Sequence, residues 1–245
     1  MKPLCFSIFL TFLVSLVPMN PINAQTNTAS THALDDKQQS LVTISALTAT
    51  GDLVNLKTAL NVGLDAGMTI NEIKEALVQL YAYCGFPRSL NGLNTLMTVL
   101  DERKVAGKTD VVGRDATPVS WADNKYETGK KTLETLTKMP DKGPTVGANG
   151  FAPIIDTFLK EHLFADIFSR DILTYQQREL VTVSALAAMS GVAPQLQAHI
   201  GLGMNTGLTE AQLSAAFQLI DQTVSKSQGD LARATLANVL AARKK

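Results

Sequence analysis

Apolar residues recur at helical spacing along almost the whole chain. Leu41, Ile44 and Leu47 predict a first helix, opening after Asp35 or Asp36 as its cap and broken at Gly51-Asp52. Leu53, Leu56, Leu60 and Leu64 predict a second, ended by Gly67. Thr69 with Glu72 three residues later is a capping box for a third helix. Ile73, Leu77 and Leu80 line that helix, which should stop near Cys84-Gly85. Pro87 then opens a fourth, with Leu90, Leu93, Leu96, Met97 and Leu100 on its apolar side. Further helices are predicted over 175–189, 193–206 and 209–225, the last from a Thr209 cap, and Leu231 to Leu240 closes the chain. No segment alternates as a strand would, so the fold class is all-α.

The helical pattern occurs twice. Ser40 to Ile73 and Glu179 to Leu213 align with a one-residue insertion near Ser190. Leu41-Val42-Thr43 then matches Leu180-Val181-Thr182, Leu56 matches Leu196, and Gly67 matches Gly207. The polar residues do not match. Ser40 faces Glu179, Ala59 faces His199, and Cys84 faces Val224. A repeat kept for packing with its chemistry split between copies points to one composite site. The segments are a first repeat over 35–105, a connector over 106–150 with one amphipathic helix from Asp123 to Lys138, and a second repeat over 151–245. The second repeat begins with an extra stretch, from Phe151 to Thr174, that the first lacks.

Composition narrows the function classes. The 245 residues carry no formal net charge, and no basic stripe exists to displace counterions from nucleic acid. With 45% hydrophobic residues the chain can bury a sizeable core. Lys2, the apolar run from Phe6 to Val17 and Ile22-Asn23-Ala24 read as a secretory signal peptide over 1–24, followed by a flexible polar leader over 25–34. The run is short for a membrane span. The mature protein is therefore expected in the periplasm or outside the cell, with no membrane contact once the signal is removed. It would retain one cysteine, Cys84, and no internal disulfide.

The stretch FLKEHLFADIFSRDILTYQQRELVTVSALAAMSGVAPQLQAHIGLGMNTGLTEAQL resembles the carboxymuconolactone decarboxylase family, which shares a helical fold with alkylhydroperoxidase D. The resemblance rests on F-x-D-I-F-S-R, then R-E-L-V-T, a histidine one turn after Q-L, and G-L-T. In the first copy EALVQLYAYCGFPRSLNGL resembles the family segment ending Y-x-G-x-P. The chain is similar to the two-repeat branch. The resemblance implies a trimer of two-repeat chains and a cofactor-free lyase acting on a small acidic or lactone-type compound. The dithiol peroxidase chemistry of alkylhydroperoxidase D is not implied. Glu72 and Cys84 keep its spacing, but Pro87 and Asn91 stand where the second cysteine and the histidine belong.

The family's reaction needs an acid or base near neutrality, which histidine supplies. His199 is the candidate for moving the proton and Glu179 for orienting it. His32 and His162 are weaker candidates. Arg178 and Arg170 could fork onto a substrate carboxylate, or form salt bridges to Asp166, Asp171 or Glu179. Cys84, Tyr81, Tyr83 and Glu72 are secondary, although the capping box already explains Glu72. A single-thiol peroxidase using Cys84 and a non-catalytic ligand trap are the alternatives. Trp121 is expected to anchor the connector. No metal-ligand spacing or phosphate loop is evident, so neither a metal nor a nucleotide cofactor is expected.

Overall fold

The computed structural model describes residues 33–119 and 124–244. The signal segment, residues 25–32 of the leader, His32 and Trp121 lie outside the described residues.

Side-chain caps set the helix starts. In α1 (Asp36–Thr50) Asp35 accepts from the Gln38 amide, and Gln38 returns the bond to the Asp35 amide. Helix α2 (Leu53–Asp65) starts at an Asp52 cap. Helix α3 (Ile70–Val105) starts at the Thr69–Glu72 capping box. It is interrupted at Gly85, whose φ of 83° and ψ of 156° no other residue adopts readily. Pro87 sits in the first turn after that break, where its missing N–H costs nothing. The predicted third and fourth helices are thus the two halves of α3, folded back at Gly85 so that Ser89 of the second half donates to the Leu77 carbonyl of the first at 2.8 Å.

The second repeat repeats the plan with α7 (Tyr175–Ala187), α8 (Ala193–Asn205), α9 (Glu210–Thr223) and α10 (Lys226–Arg243). Thr174 with Gln177 and Thr209 with Gln212 form its capping boxes. Helices α9 and α10 correspond to the two halves of α3, with Val224 and Ser225 at the break. Among the described residues there is no strand, and the fold is an all-α tandem repeat.

Helices α1 and α7 pack against each other at the centre. Every residue of α1 from Ser40 to Ala49 is buried except Thr43, and every residue of α7 from Arg178 to Ala187 is buried. Each repeat lends its third helix to the other: α3 lies against α7, and α9 against α1. Any site beside α1 or α7 is therefore built from both copies. Leu34, at the end of the expected leader, belongs to this core at 1% exposure. Leu90 and Met97, expected on an apolar face of α3, are 54% and 63% exposed, because only Leu96 and Val99 of that stretch turn fully inward.

The connector contains α4 (Lys125–Thr137) with an Asn124 cap; a short helix, α5 (Gly147–Phe151), closes it, and α6 (Pro153–Phe158) opens the second repeat. A π-helix, Leu159–Ile167, follows, which the spacing of apolar residues did not predict. It packs along α4 around a second apolar cluster of Leu136, Leu163, Phe164, Ile167 and Phe168. Lys160 is wholly buried there. Its ammonium lies 2.7 Å from Asp156, 2.7 Å from Asp141 and 2.9 Å from the Tyr126 hydroxyl, tying the π-helix to α4, α6 and the loop between. Among the described residues no helix is long and apolar enough to cross a membrane.

Candidate active site

Glu179 is the fifth residue of α7 and completely buried; His199 is the seventh of α8, with 12% of its side chain exposed. Helices α7 and α8 pack as a hairpin, which brings Glu179 Oε2 to 2.8 Å from His199 Nδ1. The carboxylate accepts from Nδ1–H and so fixes the ring's orientation and tautomer, leaving Nε2 without a protein partner. Tyr83, from α3 of the first repeat, meets the imidazole edge-on at a centroid distance of 5.3 Å and 82°. Burial first, and the Glu179 charge second, push the Tyr83 hydroxyl far above its ordinary pKa, with the Thr182 hydroxyl offsetting part of this. Tyr83 is therefore a permanent neutral donor. Its hydroxyl makes no hydrogen bond of ordinary geometry, and neither does Glu179 Oε1.

A second layer holds Glu179 in place. Arg178, wholly buried, donates to Glu75 at 2.7 Å, to Gln79 at 2.8 Å and to the Arg170 carbonyl at 2.7 Å. Arg170 forks onto the same Glu75 carboxylate at 2.9 and 3.0 Å. The expected salt bridges to Asp166, Asp171 and Glu179 do not form. Asp166 pairs with Lys125 and His162, and Asp171 with Arg114. The arginines point across the repeat boundary because Glu75 is the carboxylate buried beside them. Both guanidinium groups are thus engaged with Glu75. Burial alone would raise the Glu75 pKa, but the two arginines outweigh it and hold it below its ordinary value. Gln79 donates to the Arg178 carbonyl and to Thr182 Oγ1, both at 2.9 Å.

The other sequence candidates fall elsewhere. Glu72 bonds to Thr69 and sits 3.6 Å from Lys37, serving the start of α3. Tyr81 stacks on Phe86 at 4.4 Å and leans on His162, which is half-exposed and bonded to Asp166. Cys84 is half-buried and donates its S–H to the Leu80 carbonyl at 3.1 Å. Burial pushes its thiol pKa up, with Arg88 only partly offsetting this, so the reactive thiolate is disfavoured. The sequence places Glu75 one turn from Glu72 but gives it no role, and Gln79 escaped the sequence reading altogether. Their signal was two polar residues four apart inside EALVQL, on the face that Leu80 and Ile73 send inward. Among the described residues no three His, Cys, Asp or Glu side chains converge as a metal site.

The model of the carboxymuconolactone decarboxylase family matches residues 22–96 and 155–235, one match on each repeat. The chain belongs to the carboxymuconolactone decarboxylase family. Comparison with curated proteins returned no match. The two family matches leave the connector helix α4 outside, and α4 is where the chain adds something of its own. Asn205 of α8 donates to the Leu136 and Thr137 carbonyls at the end of α4. Tyr83 and Leu202 pack into the cluster that α4 shares with the π-helix. The connector thus packs beside the Glu179–His199 pair.

Proposed function

We propose that this protein is a carboxymuconolactone decarboxylase-like lyase working by acid/base chemistry without a cofactor on a small acidic or lactone-type compound. The observation that carries the reading is the 2.8 Å contact from the buried Glu179 carboxylate to His199 Nδ1, with Nε2 unbonded. In this reading the substrate's bond to its carboxylate breaks and carbon dioxide leaves. The electron pair passes into the lactone carbonyl as an enolate, and His199, having taken up a proton from water at Nε2, gives that proton to carbon, shifting the double bond. Glu179 stabilises the imidazolium before that transfer. Tyr83, held neutral and edge-on to the imidazole, would serve as donor to the developing enolate oxygen.

The test is decarboxylation of 4-carboxymuconolactone by the purified protein and by His199→Ala. Loss of roughly 10²–10⁴-fold in turnover is expected for the variant. Full turnover in His199→Ala would sink the assignment of the base. No turnover in the wild-type protein would sink this substrate.

Export and assembly belong to the same reading. Exposed Phe86, Phe151, Ile154 and Phe158 support burial against further copies, with a trimer favoured. Light scattering on the purified protein and fractionation of expressing cells test these two points.

A further inference from the structure

The repeat places a twin of the Glu179–His199 site on the other side of the pseudo-symmetric core. Helices α1, α2 and α9 stand there as α7, α8 and α3 stand around His199. Continuing the alignment residue by residue, Ser40 takes the place of Glu179, Ala59 of His199 and Thr43 of Thr182. On the third helices Leu219 takes the place of Gln79, and Thr223 of Tyr83. All five of these replacements line one cleft of about 680 Å³. Gln39 and Ala215, the counterparts of Arg178 and Glu75, line the cleft or the smaller one beside it, which shares Gln39 and Leu219 with it. Neither Glu179 nor His199 lines either cleft.

The physical cause is truncation. In the second repeat a glutamate, a histidine and a tyrosine fill this space, and α4 with the π-helix packs alongside. In the first repeat the same positions carry Ser, Ala and Thr. What remains is an open cleft in the volume range of small-molecule sites.

Its lining selects a chemistry. Leu47, Ala59, Val62 and Leu219 supply an apolar wall. The Ser40, Thr43 and Thr223 hydroxyls each donate to their own helix, at 2.8, 3.0 and 2.7 Å. Each then has only acceptor lone pairs left to offer. Asp36 and Asp65 line the cleft, Asp65 paired at 2.9 Å with both Arg103 and Lys108, and among the described residues no lysine or arginine lines it. We propose that this cleft is a second ligand site, distinct from the Glu179–His199 pair, for a small uncharged molecule with an apolar body and a hydroxyl-type donor. Carboxylates, the class expected at His199, are disfavoured, because they would meet no cation in the lining and would lie beside the Asp36 carboxylate. The inference does not depend on turnover at His199.

The test titrates benzyl alcohol and benzoate, which share a ring and differ in the head group, against the methyl resonances of Leu47, Val62 and Leu219. Saturable shifts with benzyl alcohol are expected, and at least tenfold weaker ones with benzoate. Ala59→His, which restores the second repeat's residue, and Val62→Trp, at an exposed position on the cleft wall, should each weaken alcohol binding tenfold or more. The second variant keeps the test decisive if the first does not fold. Equal binding of benzoate, or alcohol shifts that survive in Val62→Trp, would overturn the proposal. So would methyl shifts that follow protein concentration instead of alcohol, because the cleft would then be a contact between copies of the chain.

Discussion

Gln79, on a helix of the first repeat, donates at 2.9 Å to the main-chain carbonyl of Arg178, the residue that precedes Glu179 in the second. One amide thereby fixes the backbone that carries the buried carboxylate. The same side chain accepts from the Arg178 guanidinium and donates to Thr182. Replacement by leucine, the residue at the equivalent position 219, keeps the size and removes all three bonds. Gln79→Leu is expected to cost about 1–3 kcal/mol, because the Arg178 guanidinium stays buried with one partner fewer. Urea denaturation measures the loss, and an unchanged midpoint would show that the clamp adds nothing.

Glu179→Gln should preserve the fold and cost roughly 10²–10⁴-fold in turnover on any substrate that depends on His199. The amide is nearly the size of the carboxylate but cannot stabilise an imidazolium as the anion does. A circular dichroism spectrum matching the wild type, together with steady-state kinetics, separates this from misfolding. Wild-type turnover in the variant would leave Glu179 as packing only.

The Glu75 carboxylate makes stability depend on pH in a defined direction. Its folded-state pKa lies below its ordinary value of about 4.5, so on acidification the unfolded chain takes up the proton first. The stabilisation is complete above pH 4.5 and is lost as pH falls through the folded-state value. Glu75→Gln should lose about 3–5 kcal/mol at pH 7, since Arg178 would be left buried without its anion. It should also show a flatter decline as pH falls below about 4.5. Chemical denaturation at several pH values gives both quantities, and parallel declines in the two proteins would contradict the assignment.

Cys84 should behave as a thiol with a raised pKa. Its alkylation by iodoacetamide is expected to accelerate with pH without levelling off below the free-thiol range near about 8.5. Arg88→Ala should slow it further, because Arg88 partly offsets the effect of burial. A plateau near neutral pH would revive the single-thiol alternative.

Gly129 is the point where α4 crosses the π-helix. A Cβ there would collide with the Lys160 carbonyl oxygen, a backbone atom that cannot swing aside. Gly129→Ala should therefore displace α4 and weaken its hold on α8 through Asn205, costing about 1–3 kcal/mol by overpacking. Faster amide exchange confined to residues 125–137 and the π-helix is the expected signature, and a wild-type melting temperature would refute the tight crossing.

The sequence by itself determined the helices, their caps and the repeat. Those are local properties: apolar periodicity marks the helices of the two repeats, though not the π-helix or the two short helices before it, and Asp35, Thr69 and Thr209 satisfy amide groups only three residues away. It also marked Glu179 and His199 as the positions where the copies differ, since a residue that breaks a repeat is visible without coordinates. The tertiary structure alone decided the partners. Gln79 reaches Arg178 and Thr182 across about a hundred positions of sequence, and Glu75 rather than a nearer acid receives both arginines. Side-chain spacing cannot encode such pairings, because they follow from each repeat lending its third helix to the other. The same exchange decided that the twin position beside α1, stripped to Ser40, Ala59 and Thr223, is an open cleft. Small residues look alike in sequence whether their neighbours close over them or not.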